Sequence, residues 1–152
     1  MRKRGGVLVV FFSMVIISIF FSNVLLNLNR TIFGGEGGDA IKNYWVIDYH
    51  LKNDESFTMF RGMNYPKGEH YMFTDGQIAI TYPFFIISKM LGVDKYAVAI
   101  VNLAMLISIV LCSFFVFKIF SIYGVENNWA IFFALIISFM SPQLLRIMGH
   151  FA

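Results

Sequence analysis

The sequence predicts an all-α polytopic membrane protein: three transmembrane helices, one interfacial or re-entrant segment, and a large outer loop that carries an amphipathic helix. Three observations predict it. Of the 152 residues, 58% are hydrophobic and only 14% are charged, where soluble domains carry roughly a quarter. Three apolar runs are flanked by basic or aromatic residues, the pattern of interfacial anchoring. Between the first two runs lies a polar stretch far longer than the few residues a helix hairpin needs to turn.

The first element, residues 1–29, is a cytoplasmic N-terminus followed by a spanning helix. Val7 to Leu26 is nearly pure Val, Ile, Leu, Phe, Ser and Met, which meets the roughly 20 apolar residues a span requires. MRKR resembles the n-region of a signal peptide, but the apolar run exceeds the roughly 7–15 residues of a signal h-region. It is followed by NVLLNLNR rather than a small-residue cleavage site. Residues 30–77 form the outer loop and 78–95 the interfacial or re-entrant segment. Within the latter, IAITYPFFIIS is apolar, but it has only 11 residues and contains Pro83, too short to span. The second span occupies 96–118, from Tyr96 to Phe117 and closed by Lys118. A cytoplasmic loop covers 119–127, and the third span, 128–146, runs between Trp129 and Arg146.

Positive charge beside the first helix sets the orientation. MRKR holds the N-terminus inside, which puts the first loop outside, together with residues 147–152 at the start of a second outer loop. The chain stops at RIMGHFA, directly after a membrane helix, and is expected to be the N-terminal part of a larger protein. The net charge of +3 reflects that topology signal rather than a basic face, so no nucleic-acid partner is expected. Cys112 is the single cysteine and lies in an apolar run, which excludes a disulfide framework and a Cys-based zinc site within one chain.

The outer loop carries the candidate chemistry. GGEGGD precedes AIKNYWVIDYHLKND, which predicts a helix of about three turns with Asp39 as its N-cap. Ile41, Tyr44, Trp45, Ile47, Asp48 and Leu51 form a mixed amphipathic surface suited to a membrane interface. Asp39 is read either as a plain cap or as a functional carboxylate held close to the bilayer by the short tether from the first helix; Asp48 is further along and more readily solvated. In RGMNYPKGEHYMFTDGQ, the residues Asn64, Pro66 and Gly68 mark turns, and Glu69, His70 and Asp75 offer oxygen and nitrogen ligands without matching a known metal motif. A hydrogen-bonded surface loop is the plainer alternative. His150, after Arg146, reads as a capping or surface residue or as part of a site shared with a second outer loop. Asn102 is the one amide well inside a helix core and reads as a helix-packing residue.

Three stretches, GDAIKNYW at 38–45, GMNYPKGEH at 62–70 and FTDGQ at 73–77, follow an N-terminal membrane helix in a way that resembles the GT-C glycosyltransferase superfamily of bacterial membrane proteins. LLRIMGHFA also resembles the start of that family's next outer loop. The resemblance implies transfer of a sugar from a polyprenyl-phosphate donor to an acceptor outside the cytoplasmic (inner) membrane, with the lipid-linked donor and membrane lipids as partners. It implies Asp39 as the catalytic carboxylate. Asp39 would take the acceptor's proton or, with Asp75, hold a divalent cation such as magnesium or manganese. Donor-phosphate or acceptor contacts fall to Lys42, Asp48, His70, Asp75, Arg146 and His150.

Two other functions compete: a non-catalytic membrane subunit that uses the loop as a docking surface, and a transporter. The first is opposed by acids and histidines in the loop in place of exposed aliphatics. The second is opposed by helix cores without ionisable residues, since such residues mark translocation paths.

Overall fold

The computed structural model describes residues 2–34 and 40–140. Within them the chain is mostly helical: α1 (Arg2–Phe20), α2 (Ser22–Leu26), α3 (Ala40–Asn53), α4 (Ile78–Leu91), α5 (Ala97–Ile122) and α6 (Asn127–Phe139). Two short strands, β1 (Met59–Phe60) and β2 (Glu69–His70), pair antiparallel between α3 and α4, and 3-10 turns cover Tyr71–Phe73 and Asp94–Tyr96. One helix, Asp94–Ile122, is long and apolar enough to cross a membrane, with 29 residues and a mean hydropathy of 2.6. The apolar helices Arg4–Phe20, Ile78–Leu91 and Asn127–Phe139 are shorter. Three full spans were expected, and one of them reaches spanning length among the described residues. The reason is geometric: at 1.5 Å per residue, the 13 residues of α6 cover only about 20 Å of a hydrocarbon core about 30 Å thick.

The chain divides into two compact units. One comprises Met1–Leu26 and Leu103–Leu145, and its core is helix on helix: Val9 of α1 meets Phe117 of α5 and Ala130, Ile131 and Ala134 of α6. Small residues allow this approach. Ser13, Ser113 and Ser138 are fully buried there; Ser13 and Ser113 return their hydroxyls to the carbonyls of Val9 and Ile109 one turn back, and Ser138 donates to Cys112 Sγ at 3.5 Å. Lys118 interrupts the apolar run in sequence but does not end α5, because its ammonium lies 5.3 Å from the centre of the Phe114 ring and its stem continues the apolar surface. A cleft of about 460 Å³ lined almost entirely by apolar surface opens in this unit, among residues that include Ile16, Phe20, Phe21, Leu135 and Phe139.

The second unit is built on Asn27–Asn102. Its helix α3 spans 14 residues, a turn longer than the sequence suggests. It buries Ala40, Asn43, Tyr44, Val46, Ile47, His50 and Leu51. The expected mixed surface therefore splits: Tyr44, Ile47 and Leu51 point inward, while Ile41 and Trp45 are exposed. At about 100° per residue, positions 41 and 45 lie on a different stripe from 40, 44, 47 and 51. In the hairpin, Met59 faces His70 and Phe60 faces Glu69, and Tyr71 extends the ladder by donating its N–H to the Thr58 carbonyl at 2.9 Å. The turn between the strands needs Gly68, whose φ is +72° and where a Cβ would stand 2.8 Å from the Phe60 carbonyl oxygen.

Helix α4 contains Pro83, whose ring nitrogen cannot donate to the carbonyl four residues back. The helix still runs its 14 residues and ends at Gly92, which adopts the left-handed conformation and donates to Ser88 at 2.8 Å. Asn102, expected to pack one helix against another, instead ties the start of α5 to the loop after α2. Its amide donates to the carbonyls of Leu28 and Thr31, both at 2.7 Å. Its oxygen accepts from the Tyr44 hydroxyl, which in turn accepts from Phe33 N–H. Asn29 completes the connection, donating to the Lys95 carbonyl at 2.8 Å and accepting from Ala99 N–H at 3.2 Å.

Candidate functional site

The residues singled out by sequence do not converge on one point among the described residues. Asp39, Arg146 and His150 lie outside the described residues. Lys42 sits on the exposed side of α3. Asp48 forms an i,i+4 ion pair with Lys52 at 2.7 Å, both side chains being a third or more exposed, and pairs of that kind contribute only about 0.3–0.5 kcal/mol. Glu69 accepts from the Asn64 amide at 2.5 Å, which braces the turn. His70 is exposed and uses Nδ1 to accept from Met72 N–H at 3.2 Å, capping the 3-10 turn. Asp75 is exposed just before α4. No group of three His, Cys, Asp or Glu side chains is placed to hold a metal ion among the described residues. Glu69, His70 and Asp75 thus do not form a cation site by themselves, and a cation held by Asp39 and Asp75 would need further ligands.

What the fold does bring together is a cluster the sequence reading passed over. His50, near the end of α3, is fully buried, and its Nδ1 lies 2.7 Å from Oδ2 of Asp54, itself 1% exposed. The spacing is one helical turn, and the other carboxylate oxygen of Asp54 accepts from Arg61 N–H at 3.1 Å. Asp54 therefore joins the end of α3 to the residue that follows β1. The imidazole is stacked between two rings, Tyr71 with centroids 4.2 Å apart and Phe85 at 4.8 Å, each within 30° of parallel. Two rings this close and this nearly parallel can only lie on opposite faces. Phe57 and Phe60 meet the imidazole at larger angles.

The polar edges of this cluster are closed. The Tyr71 hydroxyl donates to Thr81 Oγ1 at 2.8 Å, and Thr81 donates in turn to the Gln77 carbonyl at 2.9 Å. Gly76 makes room for that phenol, since a Cβ there would stand 2.1 Å from its oxygen. His50 Nε2 is the exception, buried with no hydrogen-bond partner. Burial pushes the His50 pKa below its usual value, against the hydrogen bond and negative charge of Asp54 and the attraction of the Phe57 backbone, with Lys89 adding a small further push downward. Burial likewise raises the phenols of Tyr44 and Tyr71 to about 12.

The signal that could have pointed to the cluster is H-x-x-x-D at the end of an amphipathic helix, followed by phenylalanines and tyrosine at Phe57, Phe60 and Tyr71. Its chemistry as it stands is structural. A solvent-excluded imidazole stacked between rings has no route to a substrate, whereas the exposed surface holds Trp45, Tyr65, His70, Phe73 and Asp75. In comparisons with known proteins, no family model, no curated protein and no solved structure matches this chain.

Proposed function

We propose that the chain is part of a membrane-embedded glycosyltransferase of the GT-C type, which moves a sugar from a polyprenyl-phosphate donor to an extracytoplasmic acceptor. In this reading α1, α5 and α6 belong to three spans of a bacterial cytoplasmic membrane protein with its N-terminus inside, and α4 lies at the interface. One observation carries it. The three stretches that resemble the family, 38–45, 62–70 and 73–77, all belong to the single folded unit built on Asn27–Asn102, where described they form α3, the hairpin turn and the lead into α4. The family-like residues thus share one lobe, and the chain that leaves it continues into a helix of membrane-spanning length. Within that unit Lys42 and Arg61 are exposed cations for a phosphate.

Asp39 is the proposed catalytic carboxylate. In the full-length protein, Asp39→Asn is expected to abolish sugar transfer from a polyprenyl-phosphate donor in membranes while leaving expression and insertion nearly unchanged. Asn caps a helix as well as Asp does but cannot serve as a base. Asp48→Asn, which breaks only the surface pair with Lys52, is expected to be much milder. Near-normal turnover of Asp39→Asn would reduce Asp39 to a cap. A second reading, a docking subunit without catalysis, gains from the exposure of Tyr65 at 94%, Phe73 at 82% and Met72 at 67%. Sugar transfer by the intact protein decides against it.

A further inference from the structure

We propose that the buried His50–Asp54 pair is an acid-sensitive latch, which holds α3 against α4 and the hairpin and releases them as the medium acidifies. The inference does not depend on sugar transfer. Its basis is the way the imidazole joins α3, the segment after β1, the Tyr71–Phe73 turn and α4. His50 belongs to α3, its partner Asp54 carries the Arg61 amide beyond β1, and its two faces are covered by Tyr71 from the 3-10 turn and Phe85 from α4. Loss of this one ring's position loosens its contacts with Asp54, Tyr71 and Phe85 at once.

The chemistry of the surroundings gives the latch its direction. With Nδ1–H donated to the Asp54 carboxylate, neutral His50 satisfies its single donor, and Nε2 is left as a buried acceptor without a partner. A second proton would go to Nε2, which makes no hydrogen bond; the Phe57 backbone favours that charged form but does not offset burial, and the added charge would sit at 0% exposure. The groups that face the ring from the packed elements are Asp54 at the end of α3, the Phe57 backbone before β1, Lys89 on α4 and the Tyr71 phenol. Asp54 favours the charged ring and Lys89 opposes it. The phenol of Tyr71 stays protonated up to about 12 and contributes no charge below that. Burial outweighs the attraction of Asp54. The sign follows. A histidine that resists protonation when folded but accepts it when unfolded stabilises the folded lobe above its unfolded pKa of about 6.5, and that contribution is lost as pH falls below it. In the orientation proposed above, the lobe faces the external medium, whose pH is not buffered by the cell.

The test is amide hydrogen exchange of the full chain in detergent or nanodiscs, corrected for intrinsic exchange, from about pH 7.5 to about pH 5. The opening equilibrium of α3 and α4 amides is expected to grow by up to about tenfold per pH unit below about 6.5. In His50→Asn, whose amide can still donate to Asp54 but cannot titrate, that slope is expected to vanish. If this variant fails to fold, the ring resonances of His50 in the wild-type chain decide. Their midpoint is expected below that of the same residue in the denatured chain, and to coincide with the loss of protection. Constant protection across the range, an unchanged slope in His50→Asn, or a ring midpoint at or above the denatured value would each overturn the latch.

Discussion

Gly76→Ala tests the aromatic interior of the lobe with a single carbon. No positive φ marks Gly76, so alanine carries no backbone penalty there, and the whole effect must come from space. The added Cβ would lie 2.1 Å from the Tyr71 hydroxyl oxygen and 2.3 Å from its ring carbon Cζ, far inside van der Waals contact. Tyr71 cannot swing away, because it is 1% exposed, stacked on His50 and pinned to Thr81. Forcing an extra carbon into a packed core costs about 1–3 kcal/mol, and displacing the phenol from Thr81 adds about 0.5–1.5 kcal/mol for the lost hydrogen bond. The expected loss is roughly 2–4 kcal/mol, which lowers the melting temperature of a lobe this size by at least about 8 °C. The assay is thermal unfolding in detergent followed by the fluorescence of Trp45, with Trp129 replaced by Phe. Two comparisons isolate the cause. Gly92→Ala, with open space around it but φ at +64°, should cost only the left-handed strain of about 1–2 kcal/mol. Tyr71→Phe should recover part of the Gly76→Ala loss by removing the nearest atom, while Cζ still crowds the methyl. A Gly76→Ala protein that melts within about 1 °C of wild type would refute this packing of Tyr71 and, with it, the position of His50.

Three further outcomes are expected. Tyr44→Phe removes the hydroxyl shared by Asn102 and Phe33 N–H and should cost roughly 1–3 kcal/mol for two buried hydrogen bonds, read by denaturant unfolding; a change under about 0.5 kcal/mol would mean that water replaces it. Because the phenols of Tyr44 and Tyr71 are raised to about 12, they stabilise the lobe below the unfolded value of about 10, and that contribution is lost as pH climbs through 12. Tyrosinate absorbance should accordingly show two of the seven tyrosines ionising only together with unfolding, and smooth titration of all seven in the folded protein would contradict their burial. Ser56 lies on the exposed segment after α3, so Ser56→Cys, in a chain whose Cys112 is replaced by Ser, should react with an impermeant thiol reagent in intact cells. Reaction only after permeabilisation would reverse the proposed orientation.

What could be read from the sequence followed composition and period. The apolar run from Tyr96 becomes α5, and the pattern around Tyr44, Ile47 and Leu51 becomes the inward stripe of α3. The end of α5 was harder to read, because a lysine in an apolar run looks like a boundary until its ammonium is seen over the Phe114 ring. His50 and Asp54 were illegible for a different reason. In HLKND they flank the solvated Lys52 and Asn53, and what covers the His50 ring is Tyr71 and Phe85, supplied by segments whose placement local periodicity does not specify. Glu69, His70 and Asp75 misled in the opposite direction. Close in sequence, they are separated by a strand end and a 3-10 turn, and Glu69 and His70 spend their polar atoms on bracing the backbone.

The fastening of Asn29 and Asn102 across α5's first turns has a consequence for how such a protein can vary. Asn29 reaches partners 66 and 70 positions away, and Asn102 reaches back 74 and 71, so the polar segment leaves and returns at nearly the same place. Closing a ring of about 70 residues costs roughly 4 kcal/mol of chain entropy, yet doubling its length would add only about 0.6 kcal/mol more. Insertions at the hairpin tip, where Tyr65 is 94% exposed, should therefore enlarge the lobe without altering where the chain re-enters α5. The tip can thus lengthen or change sequence while the Asn29 and Asn102 fastening keeps the two ends of the segment together.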